Sequence, residues 1–388
     1  MTQKKTQTLD QLRVSIDQVD IEIQDLLNKR AFLAGQVAKV KHHEAKQLNL
    51  EEIIFYRPER EASVLRKVMQ RNKGPLPDEE TARLFREIMS ACLALEQPLS
   101  IAFLGPEGTF TQSAALKHFG HSVKTVPFSS IDQVFRDVDA STSNYGVVPI
   151  ENSTEGIISH TLDLFINSSL KIVGEVSLRI HHYLMASSND ISKIDKIYSH
   201  QQSLAQCRKW LDANLPGIDR IPVNSNAEAA RMAKKHPLAA AIGSSAAAEI
   251  YQLNILKSKI EDSPDNTTRF LILGKQEVEA SSPLASNAST MTSNDAYLAS
   301  KSLDKTSILV SSDNKPGALY DLLKPLANNN ISMSRIESRP SQCGIWQYVF
   351  FIDIEGHISN PMVKKAVEEI SAQVSMIKIL GSYPKAVL

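Results

Sequence analysis

Leu9, Leu12, Ile16, Val19, Ile23, Leu26, Leu33, Val37 and Val40 recur at spacings of three, four or seven residues. Such spacing keeps all nine on one side of a 3.6-residue helix, so the chain opens with one long amphipathic helix whose apolar stripe needs a cover. A second helix is predicted from Pro58, a good first-turn residue, through Val64, Leu65, Val68 and Met69 to a stop at Gly74 and Pro75. A third opens at Asp78, Glu79 and Glu80, acidic residues that suit a helix start, and carries Leu84, Phe85, Ile88, Met89, Cys92 and Leu93.

Charges interrupt these stripes. Arg30 falls between Leu26 and Leu33, and Arg60 and Glu61 sit one turn before Val64 and Leu65. Buried charges are expensive unless paired, so internal salt bridges or snorkelling stems would explain each one singly. Together they suggest an anionic ligand inside a helical bundle, because Lys41 lies eleven residues after Arg30 and hence within about 20° of the same face. Arg13 precedes Arg30 by seventeen residues, about 25 Å along the axis and about 100° around it, too far for one small ligand. If both serve one site, Arg13 comes from a second chain, which predicts an intertwined dimer.

The chain is too long, at 388 residues, for a single core. Lys plus Arg (43) equals Asp plus Glu (43), so no global field attracts nucleic acid or an anionic membrane. No apolar stretch is long enough to span a bilayer, and the opening "MTQKKTQTLDQL" lacks the apolar core of an export signal. Cys92, Cys207 and Cys343 form no CxxC pair, which argues against a disulfide framework or zinc knuckle and fits a reducing cytoplasm. "EASSPLASNASTMTSNDAYLASKS", residues 279–302, has little to bury and reads as a flexible linker.

From residue 99 to about 276 the period changes: "IAFL", "GVVPI", "KIYS", "RIPV", "LAAAIG" and "RFLILG" alternate with helical stretches, an α/β rhythm. Polar turns follow several strands, among them "GPEGTFTQ", "ENSTEG", "SHQQS" and "NSNAE". Their hydroxyls and amides can cap their own helices or receive an anion. "PDNTTRFLILG" places two threonines and an arginine before a buried run, which a strand start or sheet edge would also explain. Beyond residue 304 the order strand, helix, strand, strand, helix, strand is ferredoxin-like, an α+β scaffold that says little of function by itself.

Three resemblances sharpen these readings. "LRVSIDQVDIEIQDLLNKRAFLAGQVAKVK", "RPERE" and "LFREIMSACLALEQ" resemble the all-helical chorismate mutase domain. That resemblance implies a substrate site of Arg13, Arg30, Lys41, Arg57, Arg60, Glu61, Cys92 and Glu96, with Lys41 and Glu96 at the catalytic ether oxygen. Arg57, Cys92 and Glu96 depart from the Asp, Ser and Gln familiar there. "GPEGTF", "ENS" and "TRF" resemble prephenate dehydratase, implying two α/β lobes around a cleft, as in periplasmic binding proteins. The chain would cross out near residue 180 and return at "TTRFLILG". Thr268 would be the catalytic hydroxyl and Glu151 the nearest acid, with Thr109, Asn152, Ser153, Ser199, Gln206, Arg269 and Phe270 orienting the substrate. "KPGALYDLL" and "ESRP" resemble the amino-acid-binding ACT module, implying a phenylalanine site at Gly317, Ala318, Leu319, Glu337, Ser338, Arg339 and Pro340.

The expectation is therefore a multidomain chain: a helical mutase domain (1–97), a two-lobed dehydratase domain (98–276), a linker (277–303) and an ACT domain (304–388). It implies a bifunctional chorismate mutase and prephenate dehydratase inhibited by phenylalanine, working as a homodimer or larger homo-oligomer. Neither reaction calls for a cofactor or metal, since one is pericyclic and the other is driven by aromatisation. A dehydratase with a degenerate mutase domain is the alternative enzyme. A solute sensor without catalysis is the alternative from another class, and a dehydrogenase is disfavoured because no G-x-G-x-x-G is present.

Overall fold

The computed structural model describes residues 8–48, 53–281, 303–312, 315–340 and 348–388. α1 (Leu9–Gln47) is one continuous helix, opened by a capping box in which the Thr8 hydroxyl accepts from the Gln11 amide and the Gln11 side chain accepts from Thr8 N. Only Ala38 and Ala45 of this helix are buried, and all nine residues of the apolar stripe stay exposed on the single chain. α2 (Pro58–Arg71) packs on α3 (Asp78–Glu96), which packs on α1, with Leu65 fully enclosed.

The middle region forms two sheets. The first contains β1 (Ser100–Leu104), β2 (Lys124–Phe128), β3 (Tyr145–Asn152), β4 (Gly156–Ile157), β5 (Lys171–Arg179) and, returning much later, β11 (Thr267–Gly274). Its order is β2-β1-β3-β11-β5, with β4 folded back on β3. Between the crossing out and the return lie β6 (Tyr183–Ala186), β7 (Lys196–His200), β8 (Asp219–Val223), β9 (Ala239–Gly243) and β10 (Asn254–Lys257), ordered β10-β6-β9-β7-β8. These are the two expected lobes. The hinge strands β5 and β11 run antiparallel, and β11 also pairs with β3, setting Thr268 opposite Asn152 and Arg269 opposite Glu151.

The C-terminal sheet follows the predicted order: β12 (Asp304–Ser312), helix Ala318–Asn328, β13 (Met333–Pro340), β14 (Tyr348–Glu355), helix Pro361–Ser371 and β15 (Met376–Pro384), arranged β13-β14-β12-β15. It does not hang apart. Leu309, Val349, Phe351, Leu380 and Tyr383 bury into the same core as Ile150, Phe165, Leu271 and Leu273 of the first lobe. The helical domain is fastened too: Tyr56 enters the opposite core with Phe103, Phe119 and Tyr145, and Arg66 donates to the carbonyls of Leu303 and Lys385.

One expectation about connectivity needs correction. Residues 277–281, read as the start of the linker, are packed: Val278 is buried in the Tyr56 core, Ser281 N donates to Asp304, and Glu279 reaches Arg57. The rest of that run, 282–302, lies outside the described residues.

Candidate active sites

Arg30, Lys41, Arg57, Arg60, Cys92 and Glu96 line one cavity of about 750 Å³ between the three helices. The helical periodicity brings them together: Arg30 and Lys41 share the inner face of α1, Arg57 and Arg60 begin α2, and Cys92 and Glu96 are one turn apart on α3. Lys41 Nζ donates to the carbonyl of Phe55 (3.2 Å) and lies 3.9 Å from Glu96 Oε2. Burial lowers the Lys41 pKa, partly offset by Glu96, and burial raises that of Glu96 against the pull of Lys41 and Arg30. Both partners are thus drawn toward their neutral forms.

Two expected mutase residues stand elsewhere. Arg13 is exposed, 3.6 Å from Asp10, and does not line the cavity. Glu61 touches the cavity wall, but its carboxylate is 2.9 Å from Arg86 Nε in a nearly enclosed pair, so it anchors α2 to α3 and is not free for a ligand. Sequence reasoning missed Glu279, which belongs to the segment leaving the dehydratase domain yet lines the mutase cavity at 3.0 Å from Arg57.

In the cleft of the middle domain, Asn152 Nδ2 donates to Thr268 Oγ1 at 2.7 Å. The amide orientation is determined by its other end, since Asn152 Oδ1 accepts from the backbone amides of Thr154 (3.0 Å) and Glu155 (3.2 Å). Thr268 therefore accepts through oxygen, and no described residue takes its own proton. Ser153 fastens the pair, its hydroxyl accepting from Thr267 N and its amide donating to Thr267 O. From the other lobe, Gln206 Nε2 donates to Glu155 Oε1 at 2.8 Å, while Gln206 Oε1 accepts from His182 Nε2 at 2.8 Å. Gln206 also borders a neighbouring recess of about 260 Å³ with Thr154 and Asn266. Burial raises the pKa of Glu155, although the Gln206 bond opposes it, and burial lowers that of His182.

Several expectations about this cleft change. Side chains alternate across a strand, so Glu151 and Arg269 project from the face opposite Asn152 and Thr268. Arg269 is held by Glu175 (2.8 Å) and Asp353 (2.8 Å), not kept for a substrate carboxylate, and Glu151 faces Arg335 at 3.7 Å. Thr109 caps α4 (Phe110–Phe119) and donates to Leu104 O; Ser199 is fully buried, donating toward Asn226 Oδ1 and Ile242 O; Phe270 packs in the core. The carboxylate that the fold does set beside Gln206 is Glu155, and its place two residues after Ser153 in "ENSTEG" was the available signal.

Of the expected effector residues, Gly317 adopts φ +83°, a left-handed conformation natural to glycine, at the start of helix Ala318–Asn328, and Leu319 is exposed. Glu337, Ser338, Arg339 and Pro340 end the edge strand β13, and β14 separates them from β12, which leads to Gly317. Arg339 is not open to a ligand, because it grips Asp163 of the first lobe through two bonds of 3.1 and 2.8 Å.

Neither cleft is built on an activated nucleophile. One gathers cations around carboxyls whose pKa burial raises, Glu59, Glu61 and Glu96, and the other presents a polarised hydroxyl, so the fold describes an enzyme that works by holding substrates and stabilising developing charge. Residues 12–97 match the family chorismate mutase type II, residues 101–278 prephenate dehydratase and residues 306–372 the ACT domain. A bifunctional chorismate mutase/prephenate dehydratase from Stutzerimonas stutzeri is 54% identical over 381 residues, 98% of each chain. Among solved structures, a prephenate dehydratase from Arthrobacter aurescens in complex with L-Phe has a TM-score of 0.63 at 32% identity, covering 74% of this chain and 89% of that one. A quorum-quenching acylase, GqqA, has a TM-score of 0.65 at 27% identity, covering 74% of this chain and 98% of that one. This chain belongs to the bifunctional chorismate mutase/prephenate dehydratase family. It is an enzyme of phenylalanine biosynthesis with both activities.

Proposed function

We propose that chorismate occupies the helical cavity with its carboxylates on Arg30, Arg57 and Arg60, which selects the compact conformer needed for the pericyclic rearrangement. Negative charge grows on the ether oxygen as its bond breaks. Lys41 and protonated Glu96 donate to that oxygen, and their 3.9 Å separation leaves room to do so from two sides. Arg13 of a second copy closes the cavity. This reading accounts for the exposed apolar stripe of α1, which a second α1 would cover, making the working unit a homodimer or a larger assembly of such pairs.

Prephenate then binds between the two lobes, where the observation carrying the assignment is the Asn152–Thr268 bond. With its oxygen held by Asn152, Thr268 directs its proton at the departing ring hydroxyl. Glu155, not Glu151, supplies the proton that converts leaving hydroxide to water as carbon dioxide departs and the ring becomes aromatic. Gln206 holds Glu155 from the opposite lobe, so lobe closure assembles the acid.

The chain divides into residues 1–97, 98–276 and 304–388, the last binding phenylalanine near Gly317 and the β13 end as feedback inhibitor. The Arthrobacter aurescens complex with L-Phe supports that ligand. The buried free thiols of Cys92 and Cys207 suit a reducing cytoplasm, and no described helix is long and apolar enough to cross a membrane. Purified protein given chorismate should release prephenate and then phenylpyruvate, with the second step suppressed by phenylalanine. Turnover of supplied prephenate without turnover of chorismate would instead identify a degenerate mutase.

A further inference from the structure

The outer side of the first lobe carries four ion pairs to the C-terminal domain that the chemistry does not use. Arg269 bonds Asp353 of β14, Glu175 bonds Lys305 of β12, Asp163 of helix Ser159–Asn167 is gripped by Arg339 of β13, and Glu151 faces Arg335 of β13. Two of them sit one residue from the reacting pair. Glu151 immediately precedes Asn152, Arg269 immediately follows Thr268, and the register sets each opposite the other.

The pairs are not equally made. Arg269 and Asp353 meet at 2.8 Å in a set completed by Glu175, Lys305, Ser307 and Tyr383. Burial pushes the Asp353 carboxyl up, but Arg269, Ser307 and Arg335 outweigh it and hold it below its usual range. The Asp163–Arg339 pair is closed and two-pronged. Arg335 differs: its side chain is only 12% exposed, yet Nε and Nη2 have no hydrogen-bond partner and Glu151 Oε2 stays 3.7 Å away. A buried guanidinium with open donors is costly, and Glu151, at 40% exposed, is able to move toward it. A sub-ångström movement would close that contact, so Arg335 can either draw Glu151 in or leave it apart.

We propose that Arg335 is a positioning residue that couples β13 to the dehydratase site: it draws or releases Glu151 and so shifts Asn152, whose amide aims the Thr268 hydroxyl. Arg335, Glu337 and Arg339 share one face of β13, so displacement of the 337–340 segment moves Arg335 with it. This coupling rests on the reading of that segment as part of the phenylalanine site.

The test uses full-length Arg335→Gln and Arg335→Lys, with phenylalanine binding followed by calorimetry, dehydratase rates with and without phenylalanine, and mutase rate as the check on folding. In the Gln variant, phenylalanine should still bind with near wild-type affinity, while the inhibition reached at saturating phenylalanine weakens about tenfold or disappears, a usual size for allosteric coupling. The Lys variant, keeping the charge, should retain most of the inhibition. Glu151→Gln should reproduce the loss, and combining it with Arg335→Gln should add nothing further. Inhibition of Arg335→Gln to the wild-type extent at saturating phenylalanine, or equal loss in the Gln and Lys variants, would overturn the proposal. Failure of the wild-type protein itself to bind phenylalanine would remove the effector reading and the coupling with it.

Discussion

Asn152 and Thr268 sit opposite one another on β3 and β11, joined by a 2.7 Å bond in which the threonine oxygen accepts. Its proton is thereby left without a partner among the described residues. Thr268→Ala should lower dehydratase kcat by about 10²–10³-fold, the usual cost of one transition-state donor, with mutase turnover near wild type. Asn152→Asp should do nearly as much damage, because a carboxylate accepts the threonine proton and turns the hydroxyl away from the cleft. Parallel assays of both activities check this, and equal loss of the two would point to misfolding.

How much of this was legible in the sequence depends on where each residue's surroundings come from. The long helix, its charged stripe and the α/β rhythm are local patterns, and they led to Arg30, Lys41 and Glu96 because one helix or an adjacent pair holds all three. Thr268 and Asn152 followed from motif residues on neighbouring strands. Arg269 and Glu151 were misplaced although period-two alternation already set them on the other face. What that face meets is supplied by Asp353 and Arg335, some seventy to two hundred residues away, which no local pattern reveals. Glu61 failed for the same reason: its partner Arg86 lies on another helix.

The apolar stripe of α1 and the remoteness of Arg13 make a joint prediction about assembly. Arg13→Ala and Arg30→Ala chains should each lose most mutase activity when pure. Co-refolded mixtures should recover activity, since a mixed dimer contains one cavity with both arginines intact. Mass analysis confirms chain exchange, and exchange without recovery rules out a shared site.

Glu155 offers a second titration. Burial raises its pKa, so the proton-bearing form should persist further toward neutral pH than in an exposed Glu, and dehydratase kcat/KM should climb as pH falls through that value. Glu155→Gln keeps a hydrogen-bond donor but has no proton to give. The variant should lose about 10²-fold, within the range for general acid catalysis, and lose the acidic rise as well. A Gln variant with the wild-type profile would return the acid's role to another residue.

Glu96 subjects the mutase to the same logic with a different outcome. In the proposed reading it donates to the ether oxygen, and only its protonated form can donate. Burial raises its pKa, while Lys41 and Arg30 pull the other way. Bound substrate removes much of that opposition, because its carboxylates neutralise the cations and add negative charge of their own. The acid form is lost as pH rises through the raised pKa, so mutase kcat/KM should increase from alkaline through neutral to mildly acidic conditions. In Glu96→Gln the amide donates at every pH. Its profile should flatten and its rate should exceed wild type on the alkaline side, while the dehydratase profile, governed by Glu155, stays unchanged. Measuring kcat/KM for chorismate and prephenate across that range decides the point: a flat wild-type mutase profile, or a Gln variant slower at every pH, excludes Glu96 as the donor.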